Sequence, residues 1–352
     1  MGSKTPARSR SPYIVNRWYD WAFFLLPPTL ALALGMFISG RPVATEDFMF
    51  FDQEVTRSDL FIGVFIHAHL FAVFFRSHGN PDIRKLHLFR FFAVPVLLIT
   101  GMMLSSWVLI TASVLATFWD VYHSGLQTFG FSRIYDSKLG NDSQVGRRLD
   151  WWLNHLLYAG PILAGAVMMD HFEDFNEYEM VDSVGAAFFT EVPAFMEGNH
   201  AYFTWAVLGA GLLFLIYYVL AYWRLARRGY QVSFHKVFLL VTTGLCSIYS
   251  WGFNSWGEAF FIMNFFHALQ YFAIVWAFEG KHMTKMFGLN LFPTRWRAPL
   301  TLLLFLSISA AYGVFVQALD TSVTFLWGLT LVVSLMHFWY DGFIWSVKKK
   351  QV

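Results

Sequence analysis

Apolar stretches of about 20 residues recur ten times along this 352-residue chain, and nothing else in the sequence restricts its fold as strongly. They lie at roughly 20 to 40, 60 to 77, 89 to 106, 107 to 126, 150 to 169, 203 to 223, 234 to 253, 258 to 278, 298 to 318 and 323 to 346. As a helix, each is long enough to cross a hydrocarbon core of about 30 Å. Lipid offers backbone N–H and C=O groups no partner, so a spanning segment must satisfy them itself, and a helix does so within one run. The expectation is an all-α polytopic transmembrane helical bundle of about ten spans. Residues 1–352 then form a single integral membrane domain, since no repeat or linker divides them. The third and fourth stretches meet at Ser105-Ser106 and read as a tight helical hairpin.

Composition supports the same conclusion. The chain is 57% hydrophobic, 20% aromatic and 14% charged, where soluble domains carry roughly a quarter charged residues. A soluble enzyme, a disordered chain, collagen and a coiled coil are excluded. The formal charge of +2 argues against nucleic acid as a partner. The single cysteine, Cys246, permits neither an internal disulfide nor a multi-cysteine metal site.

Orientation follows from the basic residues, which accumulate on cytoplasmic flanks. With the N-terminus inside, all Lys and Arg except Arg41 and Arg57 fall on one side. This pattern predicts an even number of spans with both termini cytoplasmic. Residues 1–19 form a basic cytoplasmic tail with no removable signal peptide expected. Residues 170–202 form an acidic outer loop, in which Asp170, His171 and Glu173 read as hydrated surface.

Ionisable side chains within spans are costly unless paired or metal-bound, so each is a functional candidate. The second stretch carries His67 and His69, the fourth Asp120, His123 and Gln127, and the fifth Asn154 and His155. The eighth carries Glu258, Asn264, His267 and Gln270, and the tenth His337 and Asp341. Asp120 and His123, like Asn264 and His267, are three apart, and His337 and Asp341 are four apart. Each pair therefore projects from one helix face, where it can hold a metal or act as ligand and orienter. His67 and His69 lie about 200° apart around a helix, so one of them is expected to face the interior. Taken alone, each imidazole has the ordinary reading of a packed, hydrogen-bonded residue. Taken together, several histidines at overlapping depth with two carboxylates suit non-haem iron or another imidazole-binding transition metal. His78, His87, His235 and His282, among basic inner loops, are expected to be solvated.

Three strings carry a resemblance: FWDVYHSGLQTFGFSRIYDSK, NFFHALQYFAIVW and HFWYDGFIWSVKK. They resemble blocks of a loosely defined group of bacterial polytopic membrane proteins, written H-x-x-Q-Y and H-Y-x-x-D-G-x-I-W. The matching positions are His267, Gln270 and Tyr271, then His337, Asp341, Gly342, Ile344 and Trp345. The likeness implies a helical membrane fold and assigns no reaction. In design, the chain also distantly resembles membrane-embedded carotene-cleaving dioxygenases, whose iron is held by histidines from several spans. It lacks their P-H-G-x-x-D-H block and the histidine boxes of membrane desaturases and alkane hydroxylases.

The function expected from these residues is a membrane oxidoreductase or oxygenase using one or two non-haem irons on a lipophilic substrate such as a lipid or isoprenoid. An electron-donor protein would be its partner. His123, His267 and His337, with His67 or His69 and with His155 at similar depth, are candidate ligands. Asp120 and Asp341 ligate or orient imidazoles, and Asn264, Gln127 and Gln270 support them. Tyr122 and Tyr271 are candidate proton donors whose plainer role is aromatic packing. Two other readings stay open: a proton- or ion-coupled transporter, and a haem-binding electron carrier. A purely structural subunit would have little reason to bury so many titratable groups.

Overall fold

The computed structural model describes residues 11–51, 53–165, 198–254, 256–319 and 323–345. Most of the acidic loop at 170–202 lies outside the described residues. Among them the chain is all-α, with thirteen helices and one small ribbon. Helix α1 (Arg17–Asp20) runs through a π-helical turn (Trp21–Leu25) into α2 (Pro27–Ile38), and α3 (Pro42–Thr45) follows. Strands β1 (Asp47–Phe50) and β2 (Gln53–Thr56) pair antiparallel, with Phe48 opposite Val55. Then come α4 (Arg57–Ser77), α5 (Pro81–Leu86), α6 (Leu88–Leu104), α7 (Ser106–Lys138) and α8 (Arg147–Gly165). The chain ends with α9 (His200–Arg227), α10 (Phe234–Phe253), α11 (Trp256–Met286), α12 (Thr294–Gln317) and α13 (Thr324–Ile344).

Each of the ten apolar stretches carries a helix or, for the first, a bent pair. The hairpin breaks where expected: Ser105 adopts an extended backbone between α6 and α7. By length and apolar composition alone, five helices can cross a membrane: α4, α9, α10, α12 and the Glu258–Met286 part of α11. The bent pair Arg17–Leu25 and Pro27–Ile38 makes a sixth if counted as one span. That is fewer than ten, for identifiable reasons. Helix α6 has 17 residues, α8 has a charged first turn, and α7 and α13 carry polar groups such as the buried Asp120, His123 and His337 and the partly buried Asp341.

The first bend has a covalent cause. Pro27 and Pro28 lack the N–H that would bond the carbonyls of Phe23 and Phe24, and the two segments meet at 43°. Side-chain caps fix other helix starts: Thr56 Oγ1 accepts from Asp59 N, and Ser233 Oγ from Lys236 N.

Helix α4 packs against α11, α12 and α13, and α13 also packs against α6 and α7. Helices α2 and α10 close the other side of α11, while α8 lies on α7 and α10 and carries α9 on its outside. Gly313 lets α12 approach the α4 backbone, since a Cβ there would collide with the carbonyl of Val64. Cys246 is buried.

A charge network outside the expected site ties four helices together near their ends. The buried Arg133 (α7) donates to Asp136 at 2.9 Å, to Asp150 (α8) at 2.6 Å, and to the carbonyls of Ser143 and Val145. The buried Lys236 (α10) donates to Asp136 and Asp150, both at 2.8 Å, and to Tyr222 Oη (α9) at 2.7 Å. Tyr218 and Tyr222 donate to the other oxygen of Asp150, and Tyr230 donates to Asp136. Two cations thus face two carboxylates, so each desolvated charge has a hydrogen-bonded counter-charge. Burial also pushes the Tyr230 phenol above its ordinary range, reinforced by its bond to Asp136.

His78 corrects the expectation of a solvated inner loop. It is half-buried beside Phe74 and Phe91, with bonds to Ser77 Oγ and the Phe91 carbonyl, and this burial lowers its pKa. His87 and His235 are half-buried too, whereas His282 is exposed.

Replacing Lys236 by Met leaves two buried carboxylates with one cation. The expected loss is about 3–5 kcal/mol of stability, read as a lower unfolding temperature of the protein in detergent; an unchanged transition would contradict the burial of this network.

Candidate metal centre

Four helices each deliver one imidazole to a shared cluster: His69 from α4, His123 from α7, His267 from α11 and His337 from α13. All four rings are buried. Their centres form a closed circuit, with 5.0 Å from His69 to His267, 5.0 Å from His267 to His123, 4.8 Å from His123 to His337 and 5.0 Å from His337 to His69. With metal–nitrogen bonds of about 2.1 Å, ring centres sit about 3.2 Å from a shared ion, hence about 4.5 Å apart at a right angle and about 5.2 Å at the tetrahedral angle. The observed separations fall between these limits. The edge-on ring angles, 74–87°, suit rings radiating from one point rather than stacking.

The hydrogen bonds agree with this geometry. His337 Nδ1 lies 3.1 Å from the Leu70 carbonyl, which can only accept, so Nδ1 carries the proton and Nε2 presents a lone pair. A backbone carbonyl on the far ring nitrogen is the usual orienter of a metal-binding histidine. That Nε2 stands 3.1 Å from His123 Nε2. Asp341 Oδ2 lies 3.7 Å from His123 Nε2 and 3.8 Å from His337 Nε2. Among the described residues, neither ring nitrogen of His267 has a hydrogen-bond partner, nor does either of His69, with the Ile66 carbonyl close by but outside normal geometry. A buried polar group without a partner costs about 1–3 kcal/mol. Four such nitrogens in one place call for an occupant.

Two ligand sets emerge, His69 with His267 and His337, and His123 with His337 and Asp341, in each of which the donor atoms lie within 4.8 Å of one another. They share His337, which has one nitrogen left to give. The arrangement therefore accommodates one ion better than two.

The other candidate residues divide. Tyr271 Oη donates to Asp341 Oδ1 at 2.8 Å and Trp345 Nε1 donates to the same oxygen at 3.0 Å. Gln127 Nε2 donates to the His267 carbonyl at 3.1 Å and to Gln270 Oε1 at 3.0 Å. Gln270 Nε2 in turn donates to the Phe24 carbonyl at 2.8 Å. That carbonyl is the one left unpaired by Pro28, so a missing backbone bond in the bent first helix is what anchors α11. Asn264 donates to the Phe260 carbonyl and lies beside Asp120, outside the imidazole circuit. The structure thus does not bring Asp120 to the ligand sets.

Three expected residues lie elsewhere. His67, two residues from His69, turns to the Gly63 carbonyl at 2.7 Å and to Gln317 on α12. His155 bonds the Trp151 carbonyl at 2.7 Å and packs on Trp151 and Tyr122. Tyr122 and His155 line an apolar groove of about 200 Å³ between α7 and α8, on the face of α7 away from His123. The physical reason is phase: Asp120, His123 and Gln127 follow one face of α7, and Tyr122 follows the other.

Sequence reasoning missed the second donor to Asp341, Trp345, although its i, i+4 spacing was a usable signal. It also missed Arg76, which binds Glu279 and the Ile344 carbonyl and stacks 3.8 Å over Trp345. No protein-family model, curated protein or solved structure matches this chain.

Gln270→Leu strips the Phe24 carbonyl of its partner. It is expected to cost about 1–3 kcal/mol, measurable as a lower unfolding temperature; stability equal to that of the parent protein would deny Gln270 its anchoring role.

Proposed function

We propose that this chain is an integral membrane metalloprotein of about ten spans with both termini cytoplasmic, and that it works as an oxidoreductase on a lipophilic substrate. The observation that carries the reading is the circuit of four buried imidazoles from four separate helices, whose ring nitrogens on His69 and His267 have no partner among the described residues. His69, His123, His267 and His337 hold one transition metal, with Asp341 facing it through Oδ2. Neutral imidazoles with a carboxylate suit non-haem iron, which when bound supplies a redox centre to the site. The chain's own contribution is orientation and exclusion of water. Leu70 fixes the His337 tautomer, Tyr271 and Trp345 fix the Asp341 carboxylate, and Tyr271 holds a proton at Oη within reach of that carboxylate. Burial of the rings keeps water from the centre, and the apolar helix surfaces favour a substrate arriving from the bilayer, with electrons from a partner protein.

A porphyrin fits poorly. Its plane would have to enter between nitrogens only 3.1 Å apart at His123 and His337. Proton- or ion-coupled transport is the second reading, favoured by the broken helix at Pro27-Pro28, whose freed carbonyl lies beside the site.

Protein purified in detergent from iron-supplemented cells should contain about one equivalent of transition metal by elemental analysis. His69→Ala and His337→Ala should each lower that content severalfold, whereas His67→Ala should keep it. Metal-free wild-type protein, or equal retention by all three variants, would remove the centre; proton-driven uptake into sealed vesicles would favour transport.

A further inference from the structure

A second feature lies far along the fold from the imidazoles, where the start of α8 meets the end of α9. A pocket of about 660 Å³ opens there, and its lining includes Arg147, Arg148, Arg224 and Arg228 and no carboxylate. All four arginines are exposed, and among the described residues none forms an ion pair. Arg147 rests over the Phe129 ring at 5.2 Å. The first turn of α8 adds the positive end of a 19-residue helix. Its acidic residue, Asp150, does not neutralise the pocket, because both of its oxygens are taken by Arg133, Lys236, Tyr218 and Tyr222 on the opposite side.

Next to this cationic pocket the protein surface is hydrocarbon. Helix α9 has a mean hydropathy of 2.0, yet only 6% of its apolar window is buried. One and two turns back from Ala221 in the pocket, Tyr217 and Leu213 are 55% and 69% exposed, and Trp152 on α8 is 58% exposed. A small soluble anion would use the arginines and leave this face bare. A molecule with a phosphate head and long acyl chains would use both.

We propose that the pocket binds the phosphate headgroup of an anionic glycerophospholipid whose acyl chains lie along α9. Basic pockets between helices on the cytoplasmic side of a membrane have the charge for such headgroups. The lipid source rests on the membrane reading given above, but it is independent of the metal.

The test uses full-length protein in neutral detergent, titrated with phosphatidylglycerol, with phosphatidylcholine and with inorganic phosphate. Retained lipid is read by native mass spectrometry and the unfolding temperature by a thermal shift. Phosphatidylglycerol is expected to stay bound and raise the unfolding temperature, and phosphatidylcholine to do neither. R224Q/R228Q should weaken the phosphatidylglycerol response by more than about tenfold, at about fivefold per arginine removed. R224K/R228K should keep most of it, which separates loss of charge from loss of fold. Equal responses to the two lipids, or a phosphatidylglycerol response untouched in R224Q/R228Q, would overturn the proposal. Protection by inorganic phosphate alone would assign the arginines to a soluble phosphate ligand and overturn the lipid. A chain recovered in the soluble fraction of lysed cells would sink the membrane reading instead, and the phosphate measurement would still report on the pocket.

Discussion

Polar groups shut away from water must find partners within the protein, and the arrangement of helices in this chain follows from how that demand is met. Where α7, α8, α9 and α10 meet near their ends it is met by balance, with Arg133 and Lys236 against Asp136 and Asp150. At the bend of the first helix it is met by a loan, with Gln270 bonding the carbonyl that Pro28 cannot serve. At the imidazole circuit it is left unmet, among the described residues, for both ring nitrogens of His69 and of His267. In the charge network Arg133 Nε and Asp136 Oδ1 also lack a partner, but every charge there still has a counter-charge.

The bend and the imidazole circuit are mechanically linked. Gln127 reaches from α7 to the His267 carbonyl and to Gln270, so the helix carrying His123 and the helix carrying His267 share one hydrogen-bonded chain that ends on Phe24. Gly63 and Gly313 let α12 lie close against α4, the helix that carries His69. His337 and Asp341 are fixed from both ends of their helix turn, by Leu70 and by Tyr271 and Trp345. A centre made from four helices needs such cross-links, because no single loop can hold its geometry.

Much of this was legible in the sequence. The apolar stretches gave helix positions, and Ser105 divided α6 from α7 as expected. The i, i+3 and i, i+4 spacings correctly put His123, His267, His337 and Asp341 on inward faces, because helix periodicity fixes which residues share a face. The choice between His67 and His69 was not legible. Helix α4 is apolar nearly all round, so its sequence carries no phase, and Gln317 on a distant helix is what His67 turns to. Asp120 looked like a ligand because it lies one turn from His123, yet it belongs to neither ligand set and has Asn264 beside it. The Lys236 network was invisible for a similar reason: residues 100 positions apart in Asp136 and Lys236 meet only once the packing order of the helices is known.

The division of labour on the Asp341 carboxylate has a further consequence. Oδ1 already accepts from both Tyr271 and Trp345, so this side chain has a single oxygen to offer an ion. On the proposed reading, the four imidazoles would hold the ion together with Oδ2 alone of Asp341, while Tyr271 and Trp345 keep Oδ1 from it.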